Sequence, residues 1–184
     1  MRSVRRIQDY PAGRPLVADD LVEFHASRLL LLVRFCGKKN TLSGLTKLAK
    51  LDFFVRYPAF FERAASELGQ TPYELPHRVE SAMVRHHYGP WDKRYYHVLS
   101  VLEGKGLLTV KSAGPRTYHF ALTPHGIELA DSLATNEAFA DLVQIMQQVA
   151  KVFRDMSGTA LKGLIYRAFD REVAQRRLGE TITI

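Results

Sequence analysis

The segment Gly106–Gly126, "GLLTVKSAGPRTYHFALTPHG", restricts the fold of this chain more than any other. Leu108 and Val110 alternate with Thr109 and Lys111, and Tyr118, Phe120 and Leu122 alternate with Thr117, His119 and Ala121. A period of two on both sides of a short "SAGPR" turn predicts a β-hairpin with one buried face. Thr123 followed by Pro124 supplies an N-cap and a first-position proline, so a helix through Leu133 is predicted next. Upstream, Asp92 serves as the expected N-cap of "KRYYHVLSVLEGKG", with Tyr95, Val98, Leu99 and Leu102 on the inner stripe and Gly104 and Gly106 as the stop.

Elsewhere the periodicity is helical. Asp19 and Asp20 are expected to cap "LVEFHASRLLLLVRFC", which is apolar nearly all round, as a buried central helix must be. "KKNTLSG" reads as a polar connection. It leads into "LTKLAKLDFFVRYP", where Leu45, Leu48, Leu51 and Val55 recur at helical spacing and Lys47 and Lys50 fall on the outer face. Asp52 interrupts the apolar end of that helix, and Arg56 at i+4 is its expected partner. Pro58 opens a helix ending at Gly69, and Pro76 is expected to open "HRVESAMVRHHY" before the turn "GPW". Two more amphipathic helices, "NEAFADLVQIMQQVAKVFRDM" and "LKGLIYRAFDREVAQRRLG", close the chain.

A helix, a two-stranded ribbon and a following helix in that order make a winged helix-turn-helix. The expected fold class is therefore mainly α, with one β-hairpin wing and additional N- and C-terminal helices. Residues 1–18 read as an irregular basic arm carrying Arg2, Arg5, Arg6 and Arg14, broken by Pro11, Gly13 and Pro15. Residues 19–134 read as the winged core with its N-terminal helices, and 135–184 as a helical extension.

Composition narrows the function. Lys plus Arg number 26 against 19 Asp plus Glu, a formal charge of +7, which favours an anionic surface as partner. The lone Cys36 lies in an apolar run and reads as a core residue, so no intrachain disulfide or CxxC metal site is expected. No apolar run is long enough to span a membrane, and "MRSVRRIQDYPAGRP" lacks an apolar signal core, so a cytoplasmic location is expected. No GxSxG, HExxH, Walker A or GxGxxG pattern occurs. His86 and His87, as neighbours, diverge on a helix and make a poor metal pair. "GTALKG" lacks the preceding strand a phosphate loop requires. Neither catalysis nor a cofactor is expected.

In DNA readers of this type a short helix enters the major groove while the ribbon reaches the backbone. Here that helix offers Lys93, Arg94 and His97, and the wing offers Lys111 and Arg116, a set suited to phosphate. Base-reading side chains are scarce, because Asn and Gln are absent and only Arg94 matches the bidentate guanine contact. The aromatic group Tyr88, Trp91, Tyr95 and Tyr96 has three open roles: core, partner-interface anchor, or stacking surface for nucleic acid. Winged helices also serve as protein-docking modules, so the fold alone leaves both uses open.

The run "YGPWDKRYYHVLSVLEGKGLL…YHFALTPHG" resembles the turn, helix and wing of SocA-like, Panacea-domain antitoxins, and "LTKLAKLDFFVRYP" is similar in style to their second helix. Over residues 20–180 the order of an apolar "LLLL" helix, a "KLAKLDFF" helix, a winged core and a helical tail resembles the middle component of ABC-three-component systems, the Lamassu-type antiphage defence operons. The long C-terminal helical pair departs from the Panacea pattern. The resemblance implies a non-catalytic subunit that binds an SMC-like ABC ATPase beside a separate effector subunit of the same operon and helps hold double-stranded DNA without sequence specificity. A winged-helix transcriptional regulator and a SocA-like antitoxin or proteolytic adaptor are the competing expectations.

Overall fold

The computed structural model describes residues 18–71, 82–112, 114 and 117–182. It is mainly helical, with a three-stranded antiparallel sheet and a separate two-stranded hairpin, a winged-helix-like arrangement. Helix α1 (Val22–Cys36) is followed by β1 (Thr41–Ser43), α2 (Leu45–Arg56), α3 (Pro58–Glu67), β2 (Val84–His86), β3 (Gly89–Trp91) and α4 (Tyr95–Gly104). The wing strands β4 (Leu108–Ser112) and β5 (Tyr118–Leu122) come next, then α5 (Pro124–Ala134), α6 (Ala140–Phe153) and α7 (Gly158–Ala168).

Helix α1 is the axis of the molecule. Leu29, Leu30, Leu31, Leu32 and Val33 are all buried, because α2, α4, α5 and α6 pack around it and no side faces water. Helix α2 is enclosed in the same way, and every residue from Leu48 to Arg56 is buried. Rings of Phe53, Phe54, Phe60, Phe153 and Phe169 form the aromatic centre, with Phe54 and Phe153 4.5 Å apart and Phe60 and Phe169 4.6 Å apart. Helices α6 and α7 thus share one core with α2 and α3.

The predicted hairpin is present. Leu108 pairs with Leu122 and Val110 with Phe120, placing Leu108 and Phe120 in the core while Lys111 and Ser112 stay exposed. Thr123 caps α5, its hydroxyl accepting from the Gly126 N–H at 3.0 Å, with Pro124 in the first turn. A Cβ at Gly126 would stand 1.8 Å from the Leu107 carbonyl oxygen, so α5 lies directly on the backbone at the start of the wing.

Four expectations are corrected. "KKNTLSG" contains β1, which extends the wing sheet in the order β1-β5-β4. Thr41 and Leu42 can pair because β5 leaves one edge open, a tertiary opportunity invisible in a short polar stretch. Residues 84–91, expected as a helix end to Tyr88 followed by the turn "GPW", are instead the hairpin β2–β3, with Val84 opposite Trp91 and His86 opposite Gly89; residues 77–81 of that expected helix lie outside the described part. Helix α4 begins at Tyr95 with Arg94 in the cap position, and Asp92 caps the turn ahead of it, its Oδ1 accepting from the Arg94 N–H at 2.9 Å. Helix α1 likewise starts from Leu21 with no side-chain cap, after a 3₁₀ turn at Ala18–Asp20.

Candidate functional site

Three guanidinium groups and two carboxylates meet between α1, α2 and the start of α4. Asp52 is fully buried and accepts from Arg28 Nε at 3.0 Å and from the Tyr95 hydroxyl at 2.7 Å, with Arg56 Nη1 at 3.5 Å. The expected i+4 pair is therefore real but forms the weakest part of a larger network. Asp92 takes Arg56 Nη1 at 2.7 Å and a two-pronged contact from Arg94, Nε to Oδ1 at 2.9 Å and Nη2 to Oδ2 at 2.8 Å. Burial alone would raise the Asp92 carboxyl; hydrogen bonds from Arg94 and the charge of Arg56 hold it well below the usual carboxylate range. His25 lies between two arginines, Nδ1 3.1 Å from Arg28 and Nε2 2.6 Å from Arg94. A neutral imidazole has one acceptor nitrogen, so it accepts from only one of them.

Arg94 is tied into this network, its guanidinium held by Asp92 and His25 while its side chain stays 35% exposed. Lys93 and His97 are exposed on the same helix start, and Lys111 is exposed on the wing; Arg116 lies outside the described residues. Within the expected cationic set, Arg94 is thus the residue whose planar fork already has protein acceptors.

The aromatic group divides. Tyr95 is 1% exposed and belongs to the core, held by burial and by Asp52, both of which raise its hydroxyl's pKa. Tyr88 and Tyr96 are 53% and 64% exposed, large values for rings with an apolar body. Trp91 is half-buried between them in chain order and joins Tyr96 at 6.0 Å and His86 at 5.4 Å, the latter stacked at 28°. His87 extends the row from His86 at 5.1 Å. The result is a continuous file of rings, His87–His86–Trp91–Tyr96, on the hairpin and the first turn of α4. Burial, His87 and Lys50 hold the His86 imidazole below its ordinary value. His86 was rejected as a metal ligand on helical geometry; in the strand it becomes a stacking partner, which only the hairpin register reveals.

Lys50 also departs from expectation. It is fully buried beneath the hairpin, donating to the Pro90 carbonyl at 2.8 Å, because β3 and α7 cover the side of α2 that faced outward in the periodic reading. Burial, with Lys162 adding to it, lowers its pKa to about 7. Because the folded value lies below the unfolded one, the folded state binds fewer protons above pH 7, and this group's contribution to stability rises with pH. Stability is expected to climb between pH 7 and 9 by up to about 1.4 kcal/mol per pH unit from this group. Lys50→Met should flatten that slope in urea titrations repeated across the window. Cys36, pushed up to about 12 by burial, acts in the opposite direction only above its ordinary value near 9.

Among the described residues no group of three or more His, Cys, Asp or Glu is placed to hold a metal ion, and no helix is long and apolar enough to cross a membrane. No protein-family model matches the chain, and no curated protein matches it.

Proposed function

We propose that this chain is a non-catalytic, winged-helix-like adaptor that docks on a larger protein through the ring file of the β2–β3 hairpin and α4. One observation carries the reading: exposed Tyr96 and uncharged His86 flank half-buried Trp91 in a continuous file of rings, beside an Arg94 already engaged by Asp92. Aromatic residues on a rigid hairpin are the side chains most enriched at binding hot spots. The buried ionic network beneath them fixes the helix start on which they stand. The resemblance to the middle component of ABC-three-component defence systems names the partner class, an SMC-like ABC ATPase together with its effector subunit.

Exposed Lys93, His97 and Lys111 support a subsidiary role in touching the backbone of double-stranded DNA. With the planar fork of Arg94 engaged by Asp92, the surface favours contact without sequence reading over a site-specific regulator. No feature of the structure favours the antitoxin reading.

Co-expression with an SMC-like ABC ATPase of the proposed partner class should yield a stable complex. Tyr96→Ala, at a ring 64% exposed and therefore without consequence for folding, is expected to weaken it by about tenfold or more. A chain that elutes alone while the ATPase is soluble would falsify the proposal, as would a Tyr96→Ala complex of unchanged affinity.

A further inference from the structure

The "GTALKG" segment fails as a phosphate loop, since no strand precedes it and it forms the first turns of α7. Those turns nonetheless form one wall of a cleft. A cavity of about 320 Å³ opens there, lined by Thr159 and Lys162 of α7, Ser43 before α2, Thr46 and Lys47 in its first turn, and Tyr88 of the hairpin. We propose that this cleft binds a phosphate monoester dianion, a site that does not rest on the docking function proposed above.

Its charge is one-sided. Lys47 and Lys162 both contribute ammonium groups, and among the described residues no carboxylate lines the cavity. Lys162 is held by aromatic faces instead, 5.0 Å from the Tyr88 ring and 5.6 Å from Tyr166. Lys47 donates to the Arg154 carbonyl at 2.6 Å, which fixes its position without neutralising it. Asp155, the acid nearest in sequence to the α7 wall, is engaged by Lys38 at 2.5 Å, and its field also reaches Lys47. Behind the cleft lies Lys50, also without a carboxylate partner among the described residues, and the fields of Lys162 and Lys38 bear on Lys50 and Lys47 respectively. Mutual repulsion of this kind is relieved by one bound anion.

The walls suit an oxyanion with several acceptor oxygens. Thr46 and Thr159 supply neutral hydroxyl donors beside the two ammonium groups, while the Ser43 hydroxyl is shared with His119 Nδ1 at 2.7 Å. Gly158 permits the approach: a Cβ there would stand 2.9 Å from the Lys47 backbone nitrogen, so α7 touches the backbone of the α2 first turn. That turn begins at Gly44 without a side-chain cap. The volume falls at the lower end of small-molecule sites, which run from about 300 Å³. A terminal phosphate, carrying nearly two charges at pH 7, matches two ammonium groups better than the single charge of a phosphodiester.

Inorganic phosphate titrated into the full chain by calorimetry, with chloride holding ionic strength constant, should bind saturably at one site. Lys162→Met and Thr159→Ala should both weaken it, the lysine variant by about tenfold or more, since a charge-assisted hydrogen bond is lost. Circular dichroism checks that both variants fold, and Lys162→Arg should restore part of the affinity. A response that never saturates, or equal affinity in wild type and Lys162→Met, overturns the proposal. So does loss of binding to a short duplex in Lys162→Met without any saturable phosphate response, because the cleft would then read a nucleic-acid backbone.

Discussion

Asp52→Ala should lower the folding stability by about 3–5 kcal/mol, the range for removing one partner from a buried ion pair. Arg28 and Arg56 are 1% and 0% exposed, so the charge left behind cannot be hydrated without opening the core. The Tyr95 hydroxyl would lose its acceptor at the same time. Urea unfolding should show a lower midpoint with an unchanged slope. Asp52→Asn retains an acceptor for Tyr95 and should lose less. A midpoint within experimental error of wild type for Asp52→Ala would show that the arginines are neutralised by other groups.

The second large effect is expected for Phe153→Ala, again about 3–5 kcal/mol, from lost burial and the cavity left behind. Phe153 is fully buried on α6, with Phe54 of α2 at 4.5 Å and Phe61 of α3 at 5.5 Å in an edge-on contact. Because that ring joins the C-terminal helices to the N-terminal ones, thermal unfolding should remain a single transition at a lower temperature. Two separated transitions in the variant would mean that α6 and α7 unfold independently of α1 and α2.

Local chemistry made much of this architecture readable. The wing followed from alternation, α5 from Thr123 and Pro124, and the central placement of α1 from a helix with no polar side. The failures share a cause. Lys50 and β1 depend on what later segments lay over them, and α2 is covered on a face that its own periodicity marks as outer. At residues 84–88 the histidines and Tyr88 carry no strand signal, and Gly89-Pro90, whose residue types mark a turn, instead pair with β2. The candidate site suffered most from Arg94. A guanidinium near a helix start reads as available for DNA until the acceptors facing it, Asp92 two residues earlier and His25 sixty-nine residues away, are in place.

The hairpin that carries the ring file has one further attachment. Residues 179–182 run along β2: Gly179 donates to the Arg85 carbonyl, Arg85 to Glu180, and Ile182 to Met83, each at 2.8 Å. The Tyr57 hydroxyl ties the join, accepting from the Met83 N–H at 2.7 Å and donating to the Ile182 carbonyl at 3.2 Å. During synthesis, therefore, Trp91 and Tyr96 emerge long before the strand that fixes their platform. A chain cut before residue 179 would leave that edge of β2 unpaired beneath those rings, a surface prone to indiscriminate pairing.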